Sequence, residues 1–239
     1  MKLTLVVPVF NEKTTILQAI NKAKEIKIDK EIIVIDNHST DGTREILTNL
    51  KDDSLKIIFQ SENFGPGGQV KTAAKLAKGD YIYFHHSDLE YKASDVYVML
   101  QKAEEKNLDA VFGSRLANKK HHSKFALIKE RPAVLAALIA TFLVNKFYKK
   151  NFTDIIATKL IKTNALKELN CEFLNQGSEF ELASKLCKRG YKIEEVPIFY
   201  KPRSRKEGKK IKATDSFHAL IALIKVRFFD RNKRKLKND

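Results

Sequence analysis

The chain has no tryptophan, two cysteines, two methionines, five prolines and nine glycines among 239 residues. Two cysteines, Cys171 and Cys187, cannot build a disulfide scaffold, and such scarcity fits a reducing, cytoplasmic setting. Both read as small buried apolar residues. So little proline and glycine excludes a collagen or a low-complexity polymer. A content of 43% hydrophobic and 31% charged residues is that of an ordinary folded domain. Long apolar runs are also missing. The longest, Val134–Val144, has eleven residues. As a helix it would cover about 16 Å of a hydrocarbon core about 30 Å thick, so no transmembrane helix is predicted. The N-terminal run Leu3–Val9 is interrupted by Thr4 and Pro8 and meets no small-residue cleavage site. It reads as a buried first strand, not as a signal peptide. The length suits one large domain or two small ones, with enough buried surface to fold unaided.

Negative charge is in short supply. Lys and Arg number 45 against 29 Asp and Glu, a formal net charge of +16, and +10 of it lies from Lys201 onward. A solvated lysine-rich surface accounts for this, as would an anionic membrane surface, a phosphorylated substrate or a nucleic acid. Nucleic acid is the weakest of these, because the basic tail carries no interleaved tyrosine or tryptophan for base stacking.

What is present alternates. Strand-like runs at Leu3–Pro8, Glu31–Asp36, Leu55–Gln60 and Asp80–His85 are separated by helical patterns at Asn11–Lys24, Thr40–Leu50 and Gly67–Ala77. That order with short connections predicts a doubly wound, mostly parallel α/β sheet with a ligand site at its carboxyl edge. Further on, Ser94–Glu105, Ala133–Tyr148, Asn164–Leu169 and Glu179–Arg189 read as helices, the last stopped by Gly190. Ala110–Ser114 and Lys192–Tyr200 read as strands, and Ala117–Lys124 and Pro202–Lys212 as basic loops. In the final helix, Asp215–Phe229, residues Phe217, Leu220, Ile221, Ile224 and Phe228 form one apolar stripe. Either the stripe packs on the core and the tail is solvated, or the tail and the apolar helix Ala133–Tyr148 hold the chain on an anionic leaflet.

Several residues carry chemistry. Asp36 ends a buried strand; it either accepts from a base or ribose or caps the next helix. The strand Tyr81–Phe84 runs into His85, His86, Ser87, Asp88, Leu89 and Glu90, and a carboxylate there can hold a divalent cation against a diphosphate. His85 and His86 point to opposite faces, so neighbouring position alone does not make them a metal pair. Arg203, Arg205, Lys206, Lys209 and Lys210 crowd one loop, suited to phosphate oxygens or simply solvated.

Taken together, VVPVFNE, EIIVIDNHSTDGT, the glycine turn after Asn63, GDYIYFHHSDLEY, Thr153-Asp154 and GYKIEEVPIFYKPRSRKEGKKIK resemble family 2 glycosyltransferases of the GT-A fold. Within that family they look like the dolichyl- or polyprenyl-phosphate hexose synthases. The resemblance runs from about Leu3 to Arg227. It implies one GT-A domain over residues 1–230 and a basic tail over 231–239. It places Pro8, Phe10 and Glu12 along the nucleotide pocket, Asp36 on the base, and Gly67 and Arg115 among the substrate-binding positions. It makes Asp88 the metal ligand, with His86 standing beside it, and puts Asp154 and Glu179 on the acceptor side. Arg203, Lys209 and Lys210 fall in a loop that closes over phosphate.

Two departures stand out. The family's D-A-D is His86-Ser87-Asp88 here, so His86 replaces a carboxylate and favours Mn over Mg. In TDIIATKL, Lys159 comes one position earlier than the family's basic residue. The implied activity is inverting transfer of a sugar from a nucleotide-sugar to a polyprenyl phosphate or a glycan precursor, with a divalent cation and peripheral contact with the inner face of a membrane. Asp154 or Glu179 would serve as base only for a hydroxyl acceptor. The alternative is a catalytically lapsed GT-A protein that binds nucleotide or lipid without turnover.

Overall fold

The structure, a computed structural model, describes residues 2–117, 133–203 and 214–230. Seven strands form one sheet in the order β3-β2-β1-β4-β6-β5-β7. They are β1 (Leu3–Val9), β2 (Lys30–Asp36), β3 (Leu55–Phe59), β4 (Tyr81–Phe84), β5 (Ala110–Ser114), β6 (Lys159–Lys162) and β7 (Ile193–Pro197). The described helices are α1 (Ile16–Glu25), α2 (Thr43–Asn49), α3 (Gly65–Leu76), α4 (Asp95–Glu105), α5 (Ala133–Tyr148), α6 (Thr163–Leu169), α7 (Gly177–Lys188) and α8 (Thr214–Phe229). All strand pairs are parallel except those of β6, which runs against both β4 and β5. The carboxyl ends of the other six strands therefore share one edge.

The pleat divides the core into two layers. Leu3, Leu5, Val7 and Val9 of β1 face α1, α2 and α4, packing with Ile16, Ile20, Leu47, Val96 and Met99. Val6, Ile33, Ile35, Ile82 and Phe84 face the other way, onto Val70, Phe180, Leu186 and Leu223. Burial on both faces explains the unbroken apolar runs of the central strands.

The alternating reading holds for β1 to β5, and element ends move for local reasons. The first helix starts at Ile16, not Asn11, because Asn11 takes a positive φ of 55° and the amides of Thr15 and Ile16 turn back onto the Glu12 carbonyl. The second starts at Thr43, after Gly42 at φ 99°. The last strand stops at Pro197; beyond it only an isolated bridge joins Tyr91 to Tyr200. Strand β6 has no counterpart in the sequence reading. Lys159, expected on the acceptor side, lies in it with its side chain 2% exposed, held by the Ala157 carbonyl and Glu179.

Of the two readings of the last helix's apolar stripe, inward packing is not what its described side chains show; those of Phe217 and Leu220 lie outside the described residues. Ala222, Leu223 and Val226 are buried, whereas Ile221, Ile224 and Phe228 are exposed. No described helix is long and apolar enough to cross a membrane.

The glycine turn opening α3 abuts the backbone of residues 173–174. The Gly67 amide donates to the Leu174 carbonyl at 2.9 Å, and a Cβ on Gly67 would meet the Phe173 carbonyl oxygen at 2.0 Å. Gly67→Ala is therefore expected to cost about 2 kcal/mol by overpacking. That corresponds to a thermal midpoint about 4–8 °C lower at this chain length. An unchanged midpoint would show that the 173–174 segment yields freely.

Candidate active site

The carboxyl edge collects the ends of β1, β2, β4 and β5, and its loops are tied to one another by side chains. Asn11 leads the stitching: its amide donates to Ser39 Oγ at 2.8 Å, and its side-chain oxygen accepts from the Thr40 amide at 2.7 Å. Asparagine tolerates the left-handed backbone this needs, and His38 at φ 64° completes the opposing bend. The Glu12 amide donates to Thr43 Oγ1. Asn37 reaches the glycine turn, donating to Asn63 and accepting from the Phe64 amide.

Pro8 lies beyond the last β1–β4 pair, Val6 with Phe84, and its carbonyl accepts from Ser87 Oγ at 2.8 Å. Phe10 follows, half-buried. Asp36, expected to read a base, is 0% exposed; its carboxylate accepts from Arg44 Nε at 2.6 Å and from the Ser39 amide. In this conformation it offers a ligand no surface and instead fixes Arg44, whose guanidinium lies 5.4 Å from the Phe59 ring centre and donates to the Gln60 carbonyl. Gly67, expected among the substrate-binding positions, spends its missing side chain on the approach of residues 173–174.

The loop after β4 lies across from Glu12. Asp88 is half-buried, and its Oδ1 accepts from the Glu90 amide. No described residue donates a hydrogen bond to Oδ2. Burial pushes the Asp88 carboxyl up and Glu90 adds to this, while His86 and Arg203 oppose it. Leu89 takes a positive φ of 59°, strained for a bulky side chain, and so holds the turn that presents Asp88. His86 stacks on Tyr91 with ring centres 5.1 Å apart. His85, buried on the side of α1, has its imidazole pushed down to about 4 by burial and is neutral at pH 7.

Arg203 joins these loops. It donates from Nε to the Asp88 carbonyl at 2.7 Å and from its terminal nitrogen to Glu12 Oε2 at 2.8 Å, and its own amide donates to Glu90. The structure thus brings Glu12, Asp88 and Arg203 together from positions up to 191 residues apart. Lys209 and Lys210 lie outside the described residues.

A second group sits at the end of β5. Arg115 forms a two-pronged ion pair with Asp154, 2.6 Å at its closest, and lies 5.3 Å from the Tyr200 ring centre. Burial would raise the Asp154 carboxyl, but Arg115 outweighs it and holds the group below its ordinary range. Glu195 accepts the amides of Thr153 and Asp154 and fixes that loop. Tyr91 and Tyr200, 5.3 Å apart, connect this group to His86. Both carboxylates that the sequence offered as bases are committed: Asp154 to Arg115 and Glu179 to Lys159. Glu181, next to Glu179 in the sequence pattern, turns elsewhere, accepting the amides of Glu172 and Phe173 and pairing with Lys185.

Arg44, Glu195, Tyr91 and Tyr200 were not expected at the site. Only tertiary packing brings them there, although the positive-φ habit of asparagine in FNE was a usable sign for Asn11.

The sequence profile described as Glycosyl transferase family 2 matches residues 4–169. The chain is 34% identical over 122 residues to the GalNAc(5)-diNAcBac-PP-undecaprenol beta-1,3-glucosyltransferase of Campylobacter jejuni, covering 49% of this chain and 39% of that one. It is 27% identical over 207 residues to the glycosyltransferase AglJ of Haloferax volcanii, covering 83% and 63%. The chain thus spans less than two thirds of either relative. In fold it is similar to glucosyl-3-phosphoglycerate synthase of Mycobacterium tuberculosis in complex with Mn2+, UDP and phosphoglyceric acid, with a TM-score of 0.66 at 16% identity over 95% of this chain and 78% of that one. That enzyme has also been solved with Mg2+ and UDP.

The buried Arg115–Asp154 pair yields a prediction with a defined sign. Arg115→Met leaves a buried carboxylate without its cation, at a cost of about 3–5 kcal/mol at pH 7. The orphaned Asp154 then takes up a proton readily, so the deficit should shrink as pH falls from 7 toward 4. Urea unfolding of both proteins across that range checks this, and a deficit independent of pH would contradict it.

Proposed function

The chain belongs to glycosyl transferase family 2 and takes a nucleotide-sugar donor; from that premise we propose that its acceptor is a polyprenyl phosphate, glycosylated with inversion at the anomeric carbon. The observation that carries this reading is the assembly of Asp88 and Arg203 at the β4 edge, together with the engagement of Asp154 and Glu179, the two carboxylates expected as bases, in ion pairs. A phosphate acceptor is already ionised at neutral pH, so it needs alignment and no proton removal. A sugar hydroxyl would need a base, and Asp154 and Glu179 are both held in ion pairs. The undecaprenol-linked substrate in the name of the Campylobacter relative supports an acceptor carried on a lipid, although the beta-1,3 linkage in that name is made to a sugar hydroxyl and so does not bear on phosphate as the nucleophile. A site at the inner face of a membrane, reached by peripheral contact, follows from the same reading.

The donor set suits a divalent cation. Asp88 offers a carboxylate oxygen with no described hydrogen-bond donor, and burial pushes that carboxyl up despite the opposing His86 and Arg203. Among the described residues no three His, Cys, Asp or Glu side chains converge on one point, so diphosphate oxygens would complete the coordination. Asp88 would hold the ion, with His86 as the second protein ligand. When bound, Mg2+ or Mn2+ would neutralise charge developing on the departing diphosphate. Arg203, with five donors in a rigid fork, binds phosphate oxygens beside it and ties the Glu12 and Asp88 loops together around the donor. Phe10 and the loop after β2 border the nucleotide.

Thermal shift with nucleoside diphosphates, followed by turnover with a prenyl phosphate, tests the proposal. At ligand concentrations about 100-fold above Kd, binding should add about 2.7 kcal/mol of stability, and only when Mn2+ or Mg2+ is present. Asp88→Asn should abolish that gain while keeping the ligand-free midpoint, and His86→Asp should move the preference from Mn2+ toward Mg2+. An undiminished shift in Asp88→Asn would overturn the metal assignment. Donor binding without turnover would favour the lapsed protein, and turnover with only a glycan acceptor would replace the phosphate reading.

A further inference from the structure

Helices α5 and α8 pack against one another, and both are built the wrong way round for water. Helix α5 buries Val134, Ala137, Ala140 and Val144 while Leu135, Ile139 and Phe142 are 50%, 53% and 64% exposed. Helix α8 buries Ala222, Leu223 and Val226 while Ile221, Ile224, Phe228 and Phe229 face outward, the two phenylalanines 67% and 71% exposed. A water-facing helix puts its large apolar residues inward, and scattered single exceptions need no explanation. Here they form stripes, at i, i+4, i+7 on α5 and i, i+3, i+7 on α8. The α8 stripe ends where Phe228 meets Phe147 of α5, ring centres 6.5 Å apart.

The rim of this surface is basic. The α5 stripe continues at the same helical spacing into exposed Lys146, and exposed Lys149 follows just past the helix end. Arg227 lies within 6.0 Å of the ring centres of Phe147, Tyr148 and Phe228. Large apolar side chains bordered by lysine and arginine are the composition of a helix lying in a lipid interface.

We propose that the α5–α8 face docks in the plane of an anionic membrane leaflet, inserting Leu135, Ile139, Phe142, Ile221, Ile224 and Phe228 while Lys146, Lys149 and Arg227 engage lipid phosphates. Charge decides between this occupant and a second copy of the chain. A twofold contact through this face would set its basic rim against itself, whereas an anionic leaflet complements it. The inference rests on the reading of a membrane-borne acceptor, since it supplies the surface that brings the enzyme to it.

The experiment is co-sedimentation of the full chain with vesicles of phosphatidylcholine alone and of an equal mixture with phosphatidylglycerol, at low and high salt. The wild type should bind the anionic vesicles, and 1 M salt should weaken the attraction, because the Debye length there is about 3 Å. Phe142→Ser combined with Phe228→Ser should lower partitioning about tenfold or more, because apolar insertion is lost. Lys146→Gln combined with Lys149→Gln should lessen the preference for anionic over neutral vesicles. Both pairs are exposed, so the ligand-free thermal midpoint should stay at the wild-type value. Binding unchanged by the serine pair, no binding at low salt, or a wild-type dimer that the serine pair makes monomeric would each overturn the proposal. The metal-dependent thermal shift with nucleoside diphosphate, run on the same proteins, separates the two readings: its absence from the wild type counts against the transferase site and leaves vesicle binding as an independent result.

Discussion

A carboxylate taken out of water must find a cation or several amides, and this requirement organises the whole carboxyl edge of the sheet. Asp36 is met by Arg44, Asp154 by Arg115, Glu12 by Arg203, and Glu195 by the amides of Thr153 and Asp154. Each partner comes from a different loop or strand end, so satisfying the charges also fixes the loops against one another. Asp88 is the exception. It is half-buried, with burial pushing its carboxyl up, and no described residue donates to its Oδ2. A site made of paired charges with one acceptor left open has a place for an external cation, and the place is set by the same constraint that rigidifies the rest.

The same constraint connects distant parts of the chain to the site. Glu181, buried in α7, accepts the amides of Glu172 and Phe173. Residues 173–174 in turn press on Gly65 and Gly67, whose turn is tied through Asn63 to Asn37 at the end of β2. A glutamate in the second half of the chain thereby sets the backbone that borders the carboxyl edge built by the first half. Its effect on ligand binding would be one of position, since its carboxylate is fully engaged.

The first four strands were legible because strands buried on both faces leave continuous apolar runs, and the helices between them carry a clear period. Strand β6 was not, because four residues bounded by Lys159 and Lys162 look polar; Glu179, the Ala157 carbonyl and the Phe112 ring make a buried lysine tolerable there. At the site, the resemblance located Glu12, Asp88 and Arg203, and the structure sets them within hydrogen-bonding reach of one another's loops. It could not give Arg44 as the partner of Asp36 or Arg115 as the partner of Asp154, because ion pairing across loops leaves no spacing to read. Asp36 and Asp154 looked like free acceptors in the sequence for that reason alone.

Helical periodicity has a related blind spot: it finds an apolar stripe but not which side of the helix meets the core. In α8 the stripe through Ile221, Ile224 and Phe228 is the more regular of two apolar faces, yet the chain buries the face with Ala222, Leu223 and Val226. That face lacks Phe228, and α8 lies directly against α7 and α5. Turning the helix to bury its phenylalanines would push it away from both. The core therefore selects the face without Phe228, and that phenylalanine with Ile221 and Ile224 is left for whatever medium lies outside. Water is a poor medium for them, and the lysines and arginine at the rim give that medium a sign.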